Sequence, residues 1–249
     1  MKKALLCALF WCGFTHAADA LPHWGYTGAG APGNWGKLDT AFAACRLGKA
    51  QSPIDIRSEA VRRATRTTGT TPIAFHYTLS DATVVNNGHS IQIGMNHPGA
   101  ITLPDGEYRL TQFHFHAPAE ERIKGKTYPM NIHLVHARQD GRLAVVAVLL
   151  KVGKENTVLR EVFASLPQKG QTKPLADRID PSRLLPASHA YYAYTGSLTT
   201  PPCSEDVQWF VLKRATELSP AQIAAFRQFY PANARPVQPL NGRWIYSVP

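Results

Sequence analysis

Polar and apolar positions along this chain alternate more often than they repeat with helical spacing. Leu143 to Leu150 is an unbroken run of eight apolar residues, rich in Val and Leu and stopped by Lys151. A run of that length and composition predicts a strand buried on both faces. Ile101–Leu103, the turn residues Pro104-Asp105-Gly106, and Glu107–Leu110 predict a strand, a turn and a returning strand, and Asp140-Gly141 marks another such turn. Gln112-Phe113-His114-Phe115-His116 and Asn131-Ile132-His133-Leu134-Val135-His136 alternate with period two. Side chains two apart in a strand share a face at roughly 6.6–6.8 Å. Gln112, His114 and His116 therefore form one row with Phe113 and Phe115 behind it, and Asn131, His133 and Val135 form another, with Ile132, Leu134 and His136 opposite. Helical signals are few. Ser219-Pro220-Ala221-Gln222 is a capping box with Pro at the first helical position and predicts a helix to about Tyr230. Val158, Leu159, Val162, Phe163 and Leu166 share one helical face, ended by Pro167. Arg62 to Thr71, basic and Thr-rich, reads as a solvated loop. No linker, repeat or composition shift divides residues 21–249, so the expectation is one β-dominated domain with peripheral helices.

The first twenty residues stand outside this pattern. Lys2 and Lys3 precede an apolar run from Ala4 to Phe14, and Ala17, Ala18 and Ala20 supply small residues for cleavage; together these predict a signal peptide over 1–20. The run is well short of the roughly 20 residues that span a bilayer, and neither Cys7 nor Cys12 sits in a lipobox. The expected product is exported, periplasmic or secreted, without a membrane anchor. Cys45 and Cys203 then remain, and a single pair in an oxidising compartment reads as one disulfide. It closes a loop of more than half the chain, worth about 5 kcal/mol in the chain-entropy account. Metal ligation by the two cysteines is the alternative, weakened by the lack of a CxxC partner. The chain carries 27 Lys and Arg against 17 Asp and Glu, a net charge of +10. Without residues 1–20 the balance is 25 against 16, or +9. No nucleic-acid motif accompanies that charge, whose densest cluster is Arg62, Arg63 and Arg66. It reads as solvated surface, with no nucleic-acid partner expected. At 44% hydrophobic and 18% charged residues, the composition also excludes a disordered chain.

The histidines carry the candidate chemistry. Two imidazoles at strand spacing converge on one ion, whereas in a helix they point nearly apart. An adjacent antiparallel strand would bring His133 beside His114 and His116. Three neutral imidazoles with one open position is the pattern of a catalytic zinc site, not a closed structural one. Two hydrogen-bonded histidines in a core give the same HxH, and periodicity alone leaves both readings standing. His136, one face over, reads as a core histidine.

Across nearly the whole exported chain, in order, the sequence resembles the alpha class of carbonic anhydrases in its secreted bacterial form. The motifs are His23-Trp24-Gly25-Tyr26, Gln51-Ser52-Pro53-Ile54-Asp55-Ile56, Asn86-Asn87-Gly88-His89-Ser90, Gln112 to His116, His133-Leu134-Val135-His136, Gly196-Ser197-Leu198-Thr199-Thr200-Pro201-Pro202 and Gln238-Pro239-Leu240-Asn241. The resemblance implies a large, twisted, mostly antiparallel sheet of about ten strands, with helices at its surface and a conical cleft reaching its centre. It implies one zinc ion held by His114, His116 and His133, hydration of carbon dioxide to bicarbonate by zinc-bound hydroxide, and inhibition by sulfonamides and anions. Thr199 would accept the hydroxide's hydrogen bond and donate to Glu120. Val135, Val145, Leu198, Thr200 and Trp209 would wall the substrate pocket. His89 would shuttle the proton, supported along its path by Tyr26 and Asn87. Gln112 would partner His114, Cys45 and Cys203 would form the disulfide of extracellular members, and Ser52-Pro53 and Pro201-Pro202 would be cis.

Two departures stand out. Family members carry a glutamate two residues before the third zinc histidine, and here that position is Asn131. An amide lends an imidazole less negative charge, which predicts weaker zinc retention or a lower water pKa. The segment between His116 and Glu120 is also short, which opens the cleft rim and leaves Glu121 competing with Glu120 for the role beside Thr199. Other classes compete as well. Relatives that have lost zinc ligands act as binding modules, but all three histidines, Thr199 and Glu120 are present here. A secreted zinc esterase has no HExxH or GxSxG to support it. A structural periplasmic protein with a basic surface is the third.

Overall fold

A computed structural model describes residues 23–64 and 71–249. The expected signal segment 1–20, and Arg66 with most of the Thr-rich stretch, lie outside the described residues. Among the described residues, thirteen strands join in one sheet. Its main path runs Thr172–Pro174, Ala82–Asn86, Ile91–Met95, Gly106–His116, Met130–Ala137, Leu143–Val152, Val207–Leu212, Tyr191–Gly196, Ile245–Val248 and Val61–Arg63. Most neighbours are antiparallel. Leu143–Val152 runs parallel to Val207–Leu212 and to Thr216–Leu218, and Ile245–Val248 runs parallel to Val61–Arg63. The sheet is therefore mixed and β-dominated, with the expected ten or so strands on its main path and three more attached beside it. No helix among the described residues is long and apolar enough to cross a membrane.

The apolar run predicted as a doubly buried strand is the sheet's centre, with Ala144 to Leu150 all buried. Its alternate residues divide between two cores. Val146, Val148 and Leu150 join Phe113, Phe115, Ile132 and Leu134 on one face. Val145, Ala147 and Leu149 join Ile54, Tyr194 and Trp209 on the other. The helices Arg160–Ala164 and Pro220–Phe229 cover the first face, where Phe163 and Phe226 lie with ring centroids 5.2 and 6.0 Å from that of Phe115. The second helix has the full capping box that its sequence predicts: Ser219 Oγ accepts from the Gln222 amide and Gln222 Oε1 accepts from the Ser219 amide. A sheet packed in this way on one side leaves its other side to carry the histidines.

Three expectations change. Arg62 and Arg63 lie on the edge strand Val61–Arg63, not on a loop, and the Arg62 guanidinium sits 3.2 Å from the centroid of the Trp244 ring. An edge strand faces water, so charged side chains there are tolerated and discourage further pairing. The face shared by Val158 to Leu166 is split, with a 3-10 turn at Thr157–Leu159 before the α-helix Arg160–Ala164. Asn156 Oδ1 accepts from the Val158 and Leu159 amides and sets that tighter start. Besides Ser52-Pro53 and Pro201-Pro202, Ala117-Pro118 is cis.

Candidate active site

Strand register brings the histidines together. Gly106–His116 pairs antiparallel with Met130–Ala137 so that His114 stands opposite His133 and His116 opposite Asn131. The ring centroids are 5.0 Å apart for His114–His116, 5.4 Å for His114–His133 and 4.8 Å for His116–His133. One nitrogen from each ring lies within 4.8 Å of the other two. His136, on the opposite face, is a satisfied core residue: Tyr77 Oη is 2.8 Å from Nε2, and Nδ1 is 3.2 Å from the Ala144 carbonyl. Burial lowers its pKa to about 4.

Each of the three rings spends its other nitrogen on the protein. His114 Nδ1 donates to Gln112 Oε1 at 2.9 Å, as expected of Gln112. His116 Nδ1 donates to the Asn233 carbonyl at 2.8 Å. His133 Nε2 lies 2.8 Å from Glu121 Oε1. A carbonyl or carboxylate can only accept, so these bonds place the protons on the outer nitrogens and leave His114 Nε2, His116 Nε2 and His133 Nδ1 as inner lone pairs. Burial, and then the neighbouring rings, hold His114 down to about 3 and His116 well below the usual imidazole value. Burial also acts on His133, but Glu121 and then Glu120 outweigh it and raise that ring's pKa.

The inner nitrogens face a buried carboxylate. Glu120 Oε2 is 3.5 Å from His116 Nε2 and 3.8 Å from His133 Nδ1, and its Oε1 accepts from the Arg235 amide at 2.7 Å. Burial raises the Glu120 pKa to about 7, against the opposing pull of His133, the Arg235 amide and the Thr199 hydroxyl. Both His116 Nε2 and Glu120 Oε2 are buried without a hydrogen-bond partner. Buried polar atoms are rarely left so, and two of them facing each other across three imidazole lone pairs fit a divalent cation with nitrogen ligands. The residues present therefore suit zinc.

The same register builds an apolar wall beside the histidine row. Val135 stands opposite Val145, and Val145 beside Trp209 on the parallel strand. Val145 and Trp209 are buried, while Val135 and Leu198 are partly exposed. The Trp209 ring meets that of His133 edge-on at 4.9 Å. Leu198, Thr199 and Thr200 arrive on the loop after Tyr191–Gly196. That loop is tied by Ser52 through both its amide and its hydroxyl to Ser197, at 2.9 and 3.1 Å, and by Trp209 Nε1 to the Ser197 carbonyl at 3.0 Å. A disulfide joins Cys45 to Cys203 on the loop's far side.

At the rim, His89 sits in a turn closed by Asn87, whose Oδ1 accepts from the amides of His89 and Ser90. Its ring stacks on Trp24 at 3.7 Å and 8°, and a cleft of about 280 Å³ opens between His23, Trp24, Phe42, His89 and Pro201-Pro202. Partial burial, with help from His23 and Lys169, lowers the His89 pKa. Tyr26 lies below, edge-on to Trp24 at 5.8 Å, its phenol pushed well up by burial and by Glu120.

Sequence reasoning missed three contributors. Asn233 receives His116 through its carbonyl and ties the end of that strand, its side chain bonding the Ala117 amide at 2.8 Å and the Phe115 carbonyl at 3.0 Å. Arg235 holds Glu120 by its amide, and its buried guanidinium bonds Gln51 Oε1 and the carbonyls of Ser52 and Cys45. Both lie in a stretch without periodicity, where no local signal marks them. Glu121 is the third, weighed from the sequence only for the place beside Thr199 and not for one at His133. Asn131 sits beside His133, its amide nitrogen 2.6 Å from Nε2, but the carboxylate at that nitrogen is Glu121.

The sequence matches the family profile described as eukaryotic-type carbonic anhydrase over residues 30–249. A carbonic anhydrase of Klebsiella pneumoniae is 43% identical over 249 residues, covering 98% of each chain. The solved structure of the alpha-carbonic anhydrase from Thermovibrio ammonificans, in complex with the inhibitor sulfanilamide, shares 45% identity and a TM-score of 0.86, covering 90% of this chain and 99% of that one. Dioscorin DB3L of Dioscorea polystachya is 34% identical over 227 residues, 88% of this chain and 82% of that protein. With its three imidazoles converging beneath an apolar wall on one face of a mixed sheet, the chain belongs to the eukaryotic-type, or alpha, carbonic anhydrase family.

Proposed function

We propose that this chain is a zinc enzyme that reversibly hydrates carbon dioxide to bicarbonate and a proton, the reaction of its family. The observation that carries the reading is the convergence of three imidazole lone pairs, each fixed by a partner on the far nitrogen, on a buried spot where His116 Nε2 and Glu120 Oε2 have no other partner. His114 Nε2, His116 Nε2 and His133 Nδ1 would hold the ion. Held by these three neutral imidazoles, a zinc ion would supply the nucleophile by lowering the pKa of water, to about 7 in carbonic anhydrase.

The remaining steps belong to side chains. Glu120, steadied by the Arg235 amide, would accept from the Thr199 hydroxyl. A threonine that donates to a carboxylate has only its lone pairs left for the nucleophile, so it accepts one hydrogen bond and sets the nucleophile's orientation. Carbon dioxide carries no net charge, and Val135, Val145, Leu198 and Trp209 offer it an apolar, water-poor wall with Thr200 at its edge. His89 takes the released proton towards solvent, with Tyr26 and Asn87 along the path. A histidine of lowered pKa is neutral over most of the physiological range and ready to accept. Sulfonamides and small anions would compete for the same inner position, as the sulfanilamide complex of the Thermovibrio enzyme suggests. The Cys45–Cys203 disulfide supports work in an oxidising compartment, periplasmic or secreted.

Metal analysis and a stopped-flow hydration assay on the purified protein test this reading. Wild type is expected to hold one zinc per chain and to be active. His116→Ala should lose zinc more than about 100-fold faster, beyond the cost of removing an outer partner. Zinc-free, inactive wild-type protein would overturn the proposal.

A further inference from the structure

The carboxylate at His133 comes from an unexpected place. Glu121 is fully buried, and its two oxygens have separate tasks: Oε1 lies 2.8 Å from His133 Nε2, and Oε2 accepts from Asn131 Nδ2 at 2.8 Å. Asn131 Nδ2 also lies 2.6 Å from Nε2, a contact between two donors, so the three side chains form a triangle whose two hydrogen bonds both end on Glu121. The backbone holds Glu121 firmly. Immediately after it, Arg122–Ile123 forms a short parallel pair with Asp55–Ile56. Immediately before it, Glu120 is anchored through the Arg235 amide. Two adjacent carboxylates thus face opposite sides of one imidazole, Glu120 near Nδ1 and Glu121 at Nε2.

We propose that Glu121 is the positioning residue of His133, and that Asn131 serves it by orienting the carboxylate rather than by supplying the hydrogen-bond acceptor itself. A charge-assisted bond at Nε2 is roughly twice as strong as an amide's. It fixes the proton on the outer nitrogen, orients the ring and raises the basicity of Nδ1. Asn131 is thereby relieved of the deficit its amide would bring, and the weaker zinc retention expected from that residue does not follow. Asparagine is the suited neighbour because its amide donates to Glu121 Oε2, where a second carboxylate would set two negative charges side by side.

The inference rests on the zinc reading above, and the two fail separately. Zinc content of the wild-type protein tests the reading, and zinc release to a chelator from loaded variants tests the inference. Glu121→Gln should weaken zinc retention about 10- to 100-fold. Asn131→Glu alone should not slow zinc loss, while Glu121→Gln combined with Asn131→Glu should recover most of the retention by moving the charge to the other corner of the triangle. Wild-type release from Glu121→Gln, slowed release from Asn131→Glu, or a double variant no better than Glu121→Gln would each overturn it. Should the variants fold poorly, histidine-selective nitrogen NMR of loaded wild-type protein decides instead. A slowly exchanging, strongly downfield Nε2 proton on His133 is expected, and an unprotonated Nε2 would refute the assignment.

Discussion

His89 shows how much one side chain's surroundings decide. Its place in an Asn-Gly turn is legible in sequence, but stacking on Trp24 is not, since the two are far apart along the chain. The stacking half-buries the ring, and its pKa falls. If proton transfer to His89 limits turnover in weak buffer, kcat should rise with pH as the ring loses its proton. Because the folded pKa is lowered, that rise should centre below 6.5. His89→Ala should lose most of its turnover in weak buffer, roughly 10²-fold or more as for other removed proton-transfer groups, and regain it with added imidazole. Turnover independent of buffer would remove His89 from the proton path. The buried partners of the three converging histidines tell the same story at this scale. Gln112 was legible because it shares the row of its own strand, whereas Asn233 and Arg235 act from a distant, aperiodic segment.

Among the elements, the loop after Tyr191–Gly196 shows what a close approach demands. A Cβ on Gly196 would collide with Ser52 Oγ and lie 2.9 Å from the Trp209 ring. Both neighbours are fixed, one by its bonds to Ser197 and the other by the wall of the pocket. Gly196→Ala must therefore push the Ser197–Thr199 segment outward. Overpacking of this kind costs about 1–3 kcal/mol, and the expected result is a lower melting temperature together with a fall in kcat/KM. A variant with wild-type kinetics would show that the loop absorbs the methyl group without moving Thr199. The strands themselves were the most legible elements, because a period of two assigns faces directly. The short helical segment near Val158 was legible in its face but not in its break, since the Asn156 cap competes locally with the α-helical start.

For the molecule as a whole, acid stability has a nameable contributor. His136 is buried, bonded to Tyr77 and Ala144, and its pKa is lowered to about 4. A lowered histidine pKa means that between about pH 6.5 and 4 the unfolded chain binds a proton that the folded one refuses. Stability from this group is complete above pH 6.5 and is lost as pH falls towards 4, by about 3 kcal/mol for the one site. Urea unfolding of the zinc-stripped protein at pH 7 and pH 4 should show His136→Gln losing less stability on acidification by about that amount. Parallel pH profiles for the variant and the wild type would count against it.

The order of motifs along this chain was enough to determine the β-dominated class, the faces of the central strands, the His114–His116 pair and the cysteine pair. Each of these rests on local spacing or on a small count of candidates. Tertiary structure alone decided the rest. Pairing register set His133 opposite His114 and stacked Val135, Val145 and Trp209 beside them. Long-range backbone and side-chain bonds chose Asn233, Arg235 and Glu121 to hold the site. Period two tells which way a side chain points, but a hydrogen bond between distant segments depends on where the whole sheet and its loops come to rest. For that reason the His114–His116 pair and its row-mate Gln112 were legible in the sequence, whereas the groups that reach the site from other segments were not.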